Sequence, residues 1–248
     1  MKVIFLGVGE AFDENTPNNS HLVITGKTKL LLDCGLTSAP QMWKFNSDPS
    51  FLDAIYISHW HADHYFGLPG ALLRMWEGGR TRPLTIISKK GFKEQFYKLM
   101  DLAYLGFIEK FKYEINILDI EADKELKFND LSLNFALTVH SGENLAVKIT
   151  DGKNTVAYSG DGSPVPGNDF YNNLDLLILE TYLYDKEIIG HSSIVSAISF
   201  AENNKVKCLV STHINRDFRK NELPKMRDKI KSDKVKIIIP EPMDEYNI

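Results

Sequence analysis

The sequence predicts an α/β fold in a single domain, with two sheets flanked by helices. Three observations carry that prediction. Strand-like runs joined by tight turns dominate the early part of the chain, strand and helix signals alternate in the later part, and no composition break, linker, repeat or low-complexity tract interrupts the 248 residues. A hydrophobic share of 43% with 25% charged residues is that of an ordinary globular protein, and a chain this long buries a substantial core without disulfides.

The elements follow from period and punctuation. Residues 3–6, 21–25 and 29–33 have strand composition, with Thr25-Gly26-Lys27 as a hairpin turn between the last two. A short helix is expected over 39–44 and a strand over 54–58. Apolar residues at helical spacing over 68–76 predict a helix laid against the sheet, and 84–88 reads as a strand. Over 91–111, Phe92, Phe96, Met100, Tyr104 and Phe107 recur at spacings of three and four, which places them on one helix face. That stripe is expected to face the core, although a substrate lid or a dimer contact would use the same pattern. Strands are expected over 114–118, 131–139, 145–150 and 155–158, with Asp151-Gly152 as a turn. Strand 174–180, helix 192–203, strand 206–211, helix 223–232 and strand 235–239 complete the alternation.

The net charge of −4 argues against non-specific nucleic-acid binding by the whole surface and is compatible with a local basic groove. Cys34 and Cys208 form no C-x-x-C pair and read as buried thiols in a reducing compartment. The first residues lack a signal-peptide core, and no run approaches the ~20 apolar residues that span a bilayer. The expectation is a cytoplasmic protein with no membrane partner.

Six of the seven histidines fall where chemistry can use them. The densest group, His59-Trp60-His61-Ala62-Asp63-His64, directly follows the run Ala54-Ile55-Tyr56-Ile57. Helical neighbours lie three or four apart, so His59 and His61 would diverge on a helix, whereas a loop leaving a strand lets all four ionisable side chains converge. His140, His191 and His213 each stand at or near the end of another strand-like run, and Asp161 ends a fourth. Imidazoles completed by carboxylates are the usual donors for zinc.

The cluster resembles the signature of the metallo-β-lactamase-fold hydrolases. His140 after Leu137-Thr138-Val139, Asp161 in Tyr158-Ser159-Gly160-Asp161 and His213 in Val210-Ser211-Thr212-His213 extend the match, as do Phe5-Leu6-Gly7-Val8-Gly9 and Leu31-Leu32-Asp33-Cys34-Gly35. The resemblance implies a four-layer αββα sandwich holding two divalent metal ions. It implies that one metal takes His59, His61 and His140, that the other takes Asp63, His64 and His213, and that Asp161 bridges them. Zinc is the first choice, and manganese or iron fits a mixed imidazole and carboxylate shell as well. The diiron relatives carry a glutamate where His61 stands, and Cys208 occupies no expected ligand position.

Within the superfamily the chain is most similar to the ribonuclease Z-like branch. Phe66-Gly67-Leu68-Pro69-Gly70, Leu179-Glu180-Thr181 and Gly190-His191-Ser192-Ser193 carry that similarity. It implies catalytic roles for Asp63, Glu180 and His191, the last two as a pair that protonates the leaving oxygen, and relatives in this branch are often homodimers. Ser192 and Ser193 also suit a helix N-cap. Three departures stand out: no basic, glycine-rich arm for tRNA is present, Gly162 replaces the usual threonine after Asp161, and Asn18-Asn19-Ser20 matches only in part. Arg74, Arg80, Arg82, Lys89, Lys90 and Lys93 offer at most a loose basic patch and are expected to form a solvated face. The reading is a metal-dependent phosphodiesterase acting on RNA or on a small or cyclic diester. Hydrolysis of a carboxyl ester, thioester or lactone is the alternative, and a non-catalytic scaffold is a third reading.

Overall fold

The computed structural model describes residues 1–186 and 188–248. The chain opens with β1 (Lys2–Gly7), β2 (Ser20–Ile24) and β3 (Lys29–Leu32), then α1 (Ser38–Phe45) and β4 (Ala54–Ile57). A short α2 (Ala62–Tyr65) precedes α3 (Leu68–Glu77), which carries Pro69 in its first turn, where the missing N–H has no helical partner to lose. Next come β5 (Leu84–Lys89), α4 (Phe92–Tyr104), β6 (Ile115–Ile120), β7 (Glu125–Phe128), β8 (Leu131–Val139), β9 (Leu145–Thr150) and β10 (Thr155–Tyr158). The remainder is β11 (Ser163–Pro164), β12 (Leu176–Glu180), α5 (Ile194–Asn203), β13 (Cys208–Thr212), α6 (Arg216–Asn221), α7 (Leu223–Met226), β14 (Lys236–Ile238) and β15 (Asp244–Asn247).

Both sheets are mixed. The first runs β15-β1-β2-β3-β4-β5-β6, antiparallel as far as β3 and parallel from there to β6. The second runs β11-β8-β9-β10-β12-β13-β14, with β7 beside β8, and turns parallel from β10 onward. Successive side chains of a strand point to opposite faces, and that alternation builds the layers. Val3 and Phe5 of β1 meet Leu133, Phe135, Leu176 and Ile178 between the sheets. Ile4 and Leu6 point the other way, under Met42, Leu72 and Phe96 of α1, α3 and α4. On the far side, Leu177 and Leu179 of β12 pack against Ala197 and Ala201 of α5. The result is the four-layer αββα sandwich.

Several expectations are corrected. The helical region over 91–111 breaks at Gly106, whose φ of +66° ends α4 and starts a 3₁₀ turn over Phe107–Lys110. The helix expected over 223–232 shortens to α7 and a 3₁₀ turn, Arg227–Lys229. β7, β11, α6 and β15 were not expected, and β15 exists because it pairs with β1 rather than because its residues favour a strand. The core-facing reading of the stripe holds for Phe92, Phe96 and Met100, which are buried in the first sheet's outer core, while Tyr104 is exposed. Of the cations expected on a solvated face, Arg74, Arg82, Lys90 and Lys93 are exposed and Arg80 is the exception. Arg80 is fully buried and donates to the carbonyls of Pro49, Leu52, Arg82 and Pro83, while Arg82 pairs with Asp53 and Arg74 lies over the Trp43 ring. No helix among the described residues is long and apolar enough to cross a membrane.

Candidate metal centre

The site residues cluster at the C-terminal ends of six strands. Asp33 follows β3, His59 lies just beyond β4, His140 follows β8, Asp161 lies just beyond β10, Glu180 ends β12 and His213 follows β13. Ligands of open α/β sheets bind outside the carboxyl ends of the strands, and here two sheets contribute to one such edge. The edge is closed by backbone contacts: the His213 N–H donates to the Val8 carbonyl at 2.9 Å, and Gly9 bridges both Asn18 and Ile214. His213 has a φ of +57° and Asp33 one of +58°, a conformation that non-glycine residues rarely adopt and that tends to gather at functional sites.

All seven residues expected as ligands come together in two groups. His59, His61 and His140 form one, while Asp63, His64, Asp161 and His213 form the other, with donor atoms of each group within 4.8 Å of one another. The donor set fits metal ions. Nε2 of His59, His64 and His213 and Oδ1 of Asp161 are buried without a hydrogen-bond partner, which would be costly unless something else completes them. His64 Nε2 stands 3.1 Å from Asp63 Oδ2 and 3.2 Å from Asp161 Oδ1, and His213 Nε2 stands 3.4 Å from Asp161 Oδ2. Burial alone would push His64 and His213 down, yet the carboxylates around them hold both well above the ordinary histidine range. Such a surplus of negative charge suits a bound cation. His59 goes the other way, pushed down mainly by burial.

Orientation comes from residues behind the ligands. Asp33 Oδ2 pairs with His64 Nδ1 at 2.7 Å, which turns Nε2 toward the cluster. The same carboxylate accepts from the Ser58 N–H, the Ser58 hydroxyl and the Tyr158 hydroxyl, and is fully buried. In the sequence, Asp33 stands out only as part of the strand pattern Leu31-Leu32-Asp33-Cys34-Gly35. An acidic residue closing a strand opposite a metal-ligand cluster was the available signal. Ser58 Oγ lies 3.1 Å from His59 Nδ1, which leaves Nε2 of that ring free, while His140 Nδ1 lies 3.4 Å from the Gly190 carbonyl and its Nε2 faces His61 Nδ1 at 3.3 Å. Asn144 was missed altogether. Its side-chain amide donates to the carbonyls of Ser159 and Asp161 and so ties the Asp161 loop to the start of β9.

Glu180 and His191 also meet. Glu180 is fully buried, with Oε2 2.9 Å from His191 Nδ1 and Oε1 accepting the Ser192 N–H at 3.0 Å. That hydrogen bond is the main reason His191 is raised above the ordinary histidine range, with burial opposing it. The His191 ring lies parallel to that of His213, at an interplanar angle of 9° and 6.1 Å between centroids. Gly162 has a φ of +91°, and a side chain there would meet the Val139 carbonyl 2.6 Å away, so this chain has no room for the threonine usual in its branch. His21, without a role from sequence, sits in β2 between Phe5 and Tyr158, and burial pushes it down to about 3, which keeps it neutral.

Comparison with known proteins agrees with this architecture. Residues 1–222 match the family described as Anti-Pycsar protein Apyc1. Ribonuclease Z of Methanocaldococcus jannaschii is 30% identical over 313 aligned positions that cover 100% of this chain and 97% of that enzyme. The match to ribonuclease Z of Methanosarcina mazei, also 30% identical, spans 61% of this chain and about half (48%) of that enzyme. Among solved structures, the metallo-β-lactamase fold protein YhfI from Bacillus subtilis superposes with a TM-score of 0.82 at 26% identity, covering 99% of this chain and 98% of YhfI. The chain therefore belongs to the family described as Anti-Pycsar protein Apyc1, within the ribonuclease Z-like branch of the metallo-β-lactamase-fold hydrolases, and is a metal-dependent hydrolase.

Proposed function

We propose that this hydrolase is a phosphodiesterase with a binuclear centre, and the observation that carries this reading is the Glu180–His191 pair beside the ligand cluster. His59, His61 and His140 would hold one divalent ion, and Asp63, His64 and His213 the other, with Asp161 between them; zinc comes first, with manganese or iron open to the same shell. Bound ions would supply Lewis acidity and a water acidic enough to attack near neutral pH. The protein's own groups do the rest. Asp63 receives the proton of the attacking water. Glu180 holds the His191 ring by Nδ1, so Nε2 faces outward and delivers a proton to the leaving oxygen.

The cavity over the cluster, about 430 Å³, is lined by Phe12, Leu36, His61, Asp63, His140 and Tyr182 among others, with no lysine or arginine among its described lining residues. With Arg80 buried and no tRNA-gripping arm, a small or cyclic diester fits this cavity better than tRNA, because affinity for a polyanion rests on cations that neutralise phosphates. A homodimer stays part of the reading through its relatives, with no support from the buried stripe.

Metal-loaded protein assayed on bis-p-nitrophenyl phosphate, cyclic nucleotides, pre-tRNA, thioesters and lactones tests the proposal. Asp161→Ala should abolish turnover. His191→Ala should cost 10²–10⁴-fold, roughly, on diesters with alkoxide leaving groups and far less on p-nitrophenyl esters, whose leaving group needs no proton. Thioester or lactone turnover far above that of every diester would sink the phosphodiesterase reading in favour of carbonyl chemistry.

A further inference from the structure

We infer that an apolar hollow behind His191 receives the leaving group of the diester, and that this group is uncharged and apolar. The inference rests on the phosphodiesterase reading above. The hollow holds about 470 Å³ between β8, β11 and α5, and His191 lines both it and the cavity over the metal ligands. Its walls are Val139, Pro164, Ile188 and Phe200, and His191 is the only titratable side chain among its described lining residues. The hydroxyls present are engaged with the protein itself: Ser192 donates to Ser163, and Ser196 donates to the Ser193 carbonyl. Val139 is 47% exposed and Ile188 38%, so apolar side chains that would normally be covered stand open beside the site.

The chemistry assigns the direction. The water oxygen forms the new P–O bond and passes its proton to Asp63. The bond from phosphorus to the leaving oxygen breaks with its electron pair on that oxygen, which takes the Nε2 proton of His191; the products are a phosphomonoester and an alcohol. Because Glu180 occupies Nδ1, the leaving oxygen must sit at Nε2, and its substituent continues into the space beyond the ring. A leaving strand bearing a further phosphate would set a charge against walls whose described residues, His191 apart, carry none, whereas an apolar ring is stabilised there by burial.

Three methyl aryl phosphates test this, with phenyl, 2-naphthyl and 3-carboxyphenyl leaving groups of nearly equal acidity. The 2-naphthyl ester should exceed the 3-carboxyphenyl ester in kcat/KM by about tenfold or more. Ile188→Lys should reverse that order, because it sets a cation in the wall. Saturable binding of 2-naphthol to the metal-free protein, followed by fluorescence and weakened in Ile188→Lys, is expected independently of turnover. Equal kcat/KM for the three esters, or an unchanged ratio in Ile188→Lys, overturns the leaving-group assignment alone. No turnover of any diester by metal-loaded protein removes the phosphodiesterase reading and this assignment with it.

Discussion

Asp33 stands outside the two ligand groups, yet its one carboxylate orients His64 and gathers Ser58 and Tyr158 around it. An asparagine keeps the shape but loses the charge and one acceptor. Asp33→Asn should therefore weaken zinc binding by roughly 10–100-fold, measured by competition with a chromophoric chelator. Unchanged affinity would confine Asp33 to a folding role. His191 gives a pH signature. The Glu180 carboxylate favours the imidazolium form, so His191 keeps its proton to higher pH than an ordinary histidine, and activity that needs that proton falls as pH rises through the raised value. Glu180→Gln removes the cause of the shift. The alkaline limb of kcat/KM on an alkyl diester should move to lower pH, and a limb that stays in place would exclude His191 as the proton source.

At the scale of elements, the loop carrying His191 is anchored by the start of α5. Ser193 caps that helix by accepting the Ser196 N–H, while the Ser196 hydroxyl accepts the Ser193 N–H, so orphan donors at the helix start are satisfied reciprocally. Ser193→Ala should cost about 1 kcal/mol, read as a lower urea midpoint with an unchanged slope. A change in slope instead would mean that the substitution alters more than the cap. The strand ends behave differently from the caps. β12 carries Glu180 as its last residue, β4, β8, β10 and β13 release His59, His140, Asp161 and His213 just past their ends, and Asn144 fastens the Asp161 loop to its neighbours. The ligand positions are therefore set by sheet geometry more than by the loops themselves.

For the whole molecule, one ligand group draws on β4 of the first sheet and β8 of the second, so neither sheet alone makes a complete site. Metal binding then requires the assembled sandwich, and a ligand that binds only the folded state stabilises it by mass action. At a free zinc concentration 100 times Kd the gain is about 2.7 kcal/mol. Thermal or urea unfolding should shift upward as a single transition when zinc is added and fall back on chelation. A midpoint indifferent to zinc, manganese and iron would contradict the metal centre. The expected layer architecture and all strands but β7, β11 and β15 were legible, because alternation of apolar residues has a period that sequence exposes directly. β15 was not, because Asp244–Asn247 becomes a strand only through its partner β1.

The sequence by itself determined the histidine and aspartate cluster, the strand ends that carry it and the helix cap after His191, since each is a pattern among near neighbours. Only the tertiary structure decided what lies behind those residues. Asp33 reaches Tyr158 across 125 positions, and Asn144 reaches the Asp161 carbonyl across 17. The glycine at 162 is read as a departure from its branch in one dimension and as a steric necessity in three. Arg80 reads as a surface cation, yet four carbonyls converge on it in the interior. Periodicity encodes which face of an element is buried. Which polar group finds which partner depends on distances that exist only once both sheets have packed.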